Sequence, residues 1–129
     1  MLLDTHTLLW LTLSPSHLSK VAGKAISKHL KENGTALVLA ASFWEISVKI
    51  VKKKLDIKMT VSELLRDCKD SGQIQILDTT PEQWIRSSEL EWQHTDPIDR
   101  LLVATASILK VPIVTKDRDI SRFYSLSLW

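Results

Sequence analysis

Short apolar runs alternate with segments of helical periodicity along the whole chain. Residues 36–40 form a continuous apolar run, which is typical of a strand buried on both faces of a parallel sheet. The runs at 1–3, 74–77 and 111–115 have the same character, and residues 126–129 are a candidate fifth strand. The alternation predicts an α/β fold, in which helices cover both sides of a central four- or five-stranded parallel sheet.

Capping residues set the expected limits of the helices. Ser19, Ser42 and Thr60 have side chains that favour helix starts, and Gly34 is typical of a residue that ends one. Asp96 followed by proline is another helix start. The predicted helices span residues 5–13, 20–31, 42–53, 60–71, 81–92 and 98–109. No repeat or linker interrupts the chain, so residues 1–129 are expected to form a single domain.

Composition narrows the class of protein. Hydrophobic residues make up 44% and charged residues 25% of the 129 residues, which is ordinary for a globular protein and excludes a disordered chain. Cys68 is the one cysteine, so the chain cannot form an internal disulfide and a reducing, cytoplasmic location is expected. The apolar stretch 8–13 is too short to cross a bilayer, so no membrane partner is expected.

Four carboxylates carry the candidate chemistry. Asp4 and Asp117 follow predicted strands, whereas Glu45 and Asp99 lie near the beginnings of predicted helices. Helices of a parallel α/β fold return antiparallel to the strands, so helix N-termini and strand C-termini meet at one crevice. Like charges at close range cannot all stay ionised without a counter-ion. The positions therefore predict a divalent-metal site at this edge of the sheet.

Taken singly, each of these acids also has a purely structural explanation. Ser42 and Glu45 have the spacing of a capping box, and Glu45 precedes Lys49 by the interval of a helical ion pair. Asp4 would cap the helix that follows it. Asp117 lies in the charged segment 116–119, which also has the composition of a solvated turn.

Asp99 and Asp4 shift the balance toward a metal. Asp96 would cap its helix, with Asp99 accepting first-turn amides, but Asp99 also shares a helix face with Leu102 and Ala106. That face should pack on the sheet, where an unpaired carboxylate would be costly. Asp4 follows the first strand, expected at the centre of the sheet. Oxygen ligands of this kind suit Mg²⁺ or Mn²⁺ rather than zinc.

Four motifs in a fixed order resemble those of the PIN-domain family, and most of all the VapC-type ribonuclease toxins of bacterial type II toxin–antitoxin pairs. The motifs are LLDTH at 2–6, SFWEI at 42–46, DPIDRLLVA at 96–104 and VTKD at 114–117. Each is weak alone, and their ordered set covers essentially the whole chain. The resemblance implies a three-layer α/β/α PIN-like domain that acts as a metal-dependent endoribonuclease, a toxin whose partners are RNA, a cognate antitoxin and a second copy of itself.

The resemblance also implies roles for individual residues. It places the catalytic, Mg²⁺- or Mn²⁺-binding acids at four positions, with Asp119 as an alternative or additional ligand beside the last: Asp4, Glu45, Asp99 and Asp117. Thr115 and Ser42 match positions where small hydroxyl residues support the acids, although strand-end hydrogen bonding and helix capping explain them equally well. A metal-activated water would then hydrolyse the RNA phosphodiester.

Basic residues and tryptophans are less specific signals. Four cations near the acids are candidates for contacting RNA or an antitoxin, against the alternative of solvated surface charge: Lys49, Arg100, Lys116 and Arg118. Core packing is the default for the helical tryptophans at 10, 44, 84 and 92, with a dimer surface or an antitoxin groove as the alternative. Two other functions compete with the ribonuclease: a phosphohydrolase acting on another phosphate ester, and a module that binds RNA or protein without cleavage.

Overall fold

One parallel sheet runs through the computed structural model, which describes residues 1–129 apart from the side chain of Asn33. Its five strands, within that described part, are β1 (Leu2–Leu3), β2 (Ala36–Leu39), β3 (Ile74–Leu77), β4 (Ile113–Val114) and β5 (Ser127–Leu128). Their spatial order is β3-β2-β1-β4-β5, and every neighbouring pair is parallel. The predicted parallel sheet is confirmed, with β1 at its centre.

Seven α-helices, counted over the described residues, connect and cover the strands. They are α1 (Thr5–Leu13), α2 (Lys20–Asn33), α3 (Ala40–Val51), α4 (Val61–Asp70), α5 (Pro81–Glu89), α6 (Pro97–Leu109) and α7 (Arg118–Phe123). Ser19, Thr60 and Asp96 cap α2, α4 and α6 as predicted, each through a side-chain oxygen that accepts a first-turn amide. None of the described helices is long and apolar enough to span a membrane.

Alternating residues of the strands explain why there are three layers. On β2, Ala36 and Val38 join one apolar cluster with residues of α1 to α4, whereas Leu37 and Leu39 face a second cluster with α6 and α7. Leu2 and Leu3 of the central strand divide in the same way and are fully buried. Because both faces of the sheet are apolar, both must be covered by helices. The predicted three-layer α/β/α fold is confirmed.

Helix α3 begins two residues earlier than predicted. Strand β2 passes directly into it at Ala40, and Leu39 occupies the N-cap position without a side-chain hydrogen bond. Ser42 therefore lies inside the first turn and is buried, so the predicted capping box of Ser42 and Glu45 is wrong. The segment 116–119 also differs from a simple turn, because Asp117 caps α7, a helix that the sequence pattern did not predict.

Two tryptophans predicted to pack in the core are instead exposed. Trp44 on α3 is 59% exposed and Trp84 on α5 is 42% exposed. Trp10 and Trp92 are partly buried and contact other aromatic rings. The default of core packing is thus wrong for Trp44 and Trp84, and both leave apolar surface open to a partner.

Arg100 explains why α5 ends at Glu89 rather than at residue 92. Its guanidinium donates to backbone carbonyls of residues 87–94, which form the last turn of α5 and the chain after it, and so satisfies the oxygens that an ended helix leaves free. The Nε group donates to Ser87 at 2.9 Å, and the terminal nitrogens reach Ser88, Leu90, Trp92 and His94. With its donors bound to carbonyls, Arg100 is not available to contact RNA or an antitoxin, and that candidate role is withdrawn.

Arg100→Met should destabilise the fold. Removing the guanidinium leaves several carbonyls of the segment 87–94 without their donor, and we expect the free energy of unfolding to fall by about 2–4 kcal/mol in urea denaturation. Arg66→Met is the matched control, since Arg66 is exposed and its nearest carboxylate oxygen, on Asp67, is 4.0 Å away. Equal stability of the two variants would contradict a structural role for Arg100.

Candidate active site

A cleft opens at the carboxyl end of the sheet, where the chain order reverses around β1. Strand β1 lies between β2 and β4, and ligands of open α/β sheets bind at such a switch point. The cleft has a volume of about 440 Å³ and is lined by Asp4, His6, Trp10, Lys116, Asp117 and Arg118. Two of the predicted acids, Asp4 and Asp117, therefore line one cavity.

Asp4 is held rigidly at the end of the central strand. It is 6% exposed, and its Oδ1 accepts the backbone N–H of Thr7 at 2.6 Å as the N-cap of α1. Burial raises the pKa of the Asp4 carboxyl, and it outweighs the stabilisation of the charge by the Thr115 hydroxyl, the Thr7 amide and nearby His6. A buried carboxyl with a raised pKa is a group that a bound cation would stabilise in its ionised form.

Thr115 joins the first acid to the fourth. It is fully buried; its hydroxyl lies near enough to Asp4 to lower the pKa of that carboxyl, and it accepts the backbone N–H of Asp117 at 2.9 Å. Asp117 in turn uses its Oδ1 to cap α7, accepting the amide of Asp119 at 2.7 Å. The supporting position that the family resemblance implied for Thr115 thus lies close to Asp4.

Glu45 has partners at both carboxylate oxygens. Its Oε2 accepts the hydroxyl of Thr5 at 2.5 Å, and its Oε1 pairs with Lys49 Nζ at 2.5 Å. The ion pair considered as an alternative explanation is therefore present, and Lys49 points at the acid rather than at a free surface. Because Thr5 directly follows Asp4, its hydrogen bond also links Glu45 to the first acid.

Asp99 is paired with a histidine that no sequence pattern singled out. Its Oδ2 lies 2.7 Å from His94 Nε2. Burial raises the pKa of Asp99 to about 6, against the hydrogen bond from His94, while the charges of Asp96 and Glu45 push it further upward. The influence of Glu45 places these two acids within electrostatic reach of each other.

His94 owes its position to a stack of rings. Its ring lies on that of Trp92 at 4.1 Å with an interplanar angle of 6°, and Trp92 stacks on Phe123 of α7 at 4.9 Å. Since Phe123 is distant in sequence, this arrangement depends on tertiary packing. Thr5 and Thr7 were likewise missed, although their place beside Asp4 at the start of a helix was a usable signal.

The acids are aligned along the sheet edge rather than gathered at one point. Contacts run from Asp117 through Thr115 to Asp4, then through Thr5 to Glu45. As they stand, no three or more Asp, Glu, His or Cys side chains among the described residues are grouped closely enough to hold a metal ion. The donors themselves fit a hard divalent cation: they are carboxylate oxygens, and two of them have raised pKa values that a cation would relieve.

The remaining candidate site residues differ in how exposed their side chains are and in whether they line the cleft. Asp119 has a side chain that is 63% exposed and pairs with Arg122 at 3.3 Å, outside the acid cleft. Lys116 and Arg118 are exposed and line the cleft beside Asp4 and Asp117. Ser42 is buried within the first turn of α3. The structure therefore favours Asp117 over Asp119 as the acid after β4 that faces the cleft.

Comparison with known proteins agrees with this architecture. A model of the PIN domain matches residues 1–126. The chain belongs to the PIN-domain family. Among solved structures, a toxin–antitoxin complex from Klebsiella pneumoniae has a similar fold, with a TM-score of 0.65 and 15% identity over 99% of this chain and 95% of that chain. None of the curated proteins compared with the chain matches it.

Membership of the PIN-domain family gives the acid edge a general chemical context. PIN domains are generally nucleases, and they typically use divalent metals. At 15% identity, the solved complex shows a shared fold and no more. The match covers nearly the whole length of both chains, so the similarity extends to all three layers.

Asp99→Asn should stabilise the metal-free PIN domain at neutral pH. In the folded protein Asp99 keeps its proton up to about pH 6, whereas an ordinary aspartate loses it near pH 4. The folded state thus binds more protons over this interval, so stability falls as pH rises from about 4 to 6. The asparagine removes this penalty while still accepting a hydrogen bond from His94.

Urea unfolding in EDTA measures the effect. We expect the variant to gain about 1–2 kcal/mol above pH 6 and nothing near pH 4. Asp67→Asn, at an exposed position on α4, serves as the control for removing one negative charge. A loss of stability at pH 7.5 on changing Asp99 would show that its charge is already compensated.

Proposed function

We propose that this PIN domain is a metal-dependent endoribonuclease and the toxin of a toxin–antitoxin pair. The observation that carries the proposal is the buried Asp4 carboxylate at the switch point, in one cleft with Asp117 and two exposed cations. Family membership supports nuclease chemistry, and the solved complex of similar fold is described as a toxin–antitoxin complex. Lys116 and Arg118 provide the positive rim that a phosphodiester backbone requires.

In the proposed mechanism, Asp4, Asp117, Glu45 and Asp99 would hold Mg²⁺ or Mn²⁺. Such an ion supplies an activated water and neutralises charge that builds on the phosphoryl oxygens. The residues of the chain supply the rest. Thr7 and Thr115 fix the orientation of Asp4, and Lys116 and Arg118 hold the phosphates of the substrate at the cleft.

Lys49 acts as an internal counter-charge on one proposed ligand, and His94 acts as a hydrogen-bond partner of another. Lys49 neutralises Glu45, and His94 donates to Asp99. A cation that binds these acids competes with both contacts, so the ion pair lowers metal affinity while keeping the empty site folded. We infer that Lys49 has this internal role rather than a role in binding RNA.

Exposed apolar side chains support the proposed protein partners. Trp44 and Val51 lie on α3, and Trp84 and Ile85 lie on α5; all four are exposed. Surfaces of this kind are commonly covered in a complex, and we propose that a second copy of the chain and a cognate antitoxin cover them. A reducing cytoplasmic location is consistent with Cys68, which is free and buried.

Asp4→Asn should abolish RNA cleavage without unfolding the protein. Asparagine can still accept the Thr7 amide as an N-cap, so the helix start is preserved, but the charge needed to hold a cation is lost. We expect cleavage with Mn²⁺ to fall about a hundredfold or more. Sequencing of RNA ends after brief induction of each protein measures this, with Asp67→Asn as control. Matching end profiles for wild type and Asp4→Asn would refute the ribonuclease.

Asp117 and Asp119 can be distinguished by a matched pair of substitutions. Asp117→Asn keeps the α7 cap but should weaken Mn²⁺ binding in calorimetry and slow cleavage about tenfold or more. Asp119→Asn breaks only the exposed pair with Arg122 and should leave both unchanged. If Asp119→Asn were the damaging change, the fourth ligand would be Asp119 instead.

A further inference from the structure

A cluster of aromatic rings lies beside the acid cleft and has no part in the mechanism above. Trp10 is its centre: the rings of His6 and His17 lie 5.7 and 6.2 Å from it, and that of Trp129 lies at 5.1 Å. Lys116 Nζ is 5.6 Å from the centroid of the Trp10 ring, within the range of a cation–π contact. The Lys116 ammonium group and the face of the Trp10 ring are thus available to the same ligand.

This aromatic cluster lies between two depressions of the surface and forms part of the wall of each. His6 and Trp10 line the acid cleft, and they also line a second groove of about 660 Å³ between α1 and the segment 55–59. Apolar side chains form most of the walls of this second groove, here named the Trp10 groove: Leu9, Leu13, Leu55, Ile57 and Met59. Trp10 therefore lies between the Asp4 carboxylate and this groove.

We propose that the Trp10 groove binds one unpaired base of the RNA, next to the phosphate held at Asp4. The inference rests on the proposed ribonuclease function and extends it by naming a subsite and the residues that form it. The base stacks on the Trp10 ring and inserts between aliphatic walls, while its 5′- or 3′-phosphate meets Lys116. Stacking on aromatic side chains is a general means of holding single-stranded nucleic acid.

Charge complementarity favours RNA over an apolar peptide in this groove. Lys116 and Arg118 line the acid cleft, and Lys58 lines the Trp10 groove. His6 lines both depressions. The single acid that lines the groove is Asp56, within the described residues. An apolar helix would gain nothing from a lysine placed over the ring that it covers, whereas a nucleotide uses both its base and its phosphate.

The chemistry of the groove also predicts which features of the RNA it recognises. A π-surface with aliphatic walls stacks every base, so the subsite should fix the position of the strand more than the identity of the base. Single-stranded RNA should be preferred over a duplex, because a paired base cannot leave its stack to enter the groove without a cost.

Binding of two oligomers in EDTA tests the proposal without cleavage. One probe is a single-stranded oligoadenylate, and the other is a ribose-phosphate oligomer of equal length without bases. Repulsion from the acids affects both alike, so the ratio of their dissociation constants reports base contacts alone. We expect the wild type to prefer oligoadenylate about tenfold, and Trp10→Leu to reduce that preference to about twofold or less. Trp10→Phe, which keeps a ring, should retain most of it.

Two further variants keep the test decisive. Ile108→Ala is the control, since Ile108 is an exposed apolar residue on α6 that lines neither depression, and it should leave the preference unchanged. His17→Ala removes an exposed ring at the groove without touching the core, and should weaken the preference severalfold even if Trp10→Leu fails to fold.

The outcomes separate this inference from the proposed function. An equal preference in the wild type, Trp10→Leu and His17→Ala would overturn the base subsite, and it would leave the groove to a protein if Trp10→Leu then lost binding to its antitoxin. RNA cleavage that depends on Asp4 is measured separately. Cleavage without a base preference would remove the subsite alone, whereas a base preference without cleavage would remove the nuclease alone.

Discussion

The central strand is the constraint on which the rest of the site depends. Strand β1 is only two residues long, yet it pairs with β2 on one side and β4 on the other, and Leu2 and Leu3 are fully buried on opposite faces. Asp4 follows immediately and has no freedom to move away. Its burial raises the cost of its charge, and the Thr7 amide and the Thr115 hydroxyl offset only part of that cost.

The acidic residues differ in the partners that offset their negative charge. Glu45 has a direct cationic partner in Lys49, and Asp99 has a partner in His94. Asp4 has hydroxyls, a backbone amide and a nearby His6. Among these three acids, Asp4 is the most deeply buried and the one without a directly paired basic side chain, so its position would benefit most from an external ion.

Local sequence signals predicted the fold correctly. They failed for features that depend on contacts between residues far apart in the chain. The caps at Ser19, Thr60 and Asp96 depend on a few neighbouring residues, so they were predictable. The end of α5 depends on Arg100, which lies beyond it in sequence, and no local pattern reports that. The contact between His94 and Asp99 depends on ring stacking that only the folded chain creates.

Helix capping and metal chemistry are compatible at Asp4 and Asp117, but at buried Asp4 capping alone does not explain why the residue is an aspartate. Both cap a helix through Oδ1. Serine, threonine or asparagine would cap as well, without burying an ionisable group, and Ser19 and Thr60 do so elsewhere in this chain. At Asp4 the carboxylate carries a burial cost that folding alone would avoid. This burial cost is what a cation bound in the proposed metal site would relieve.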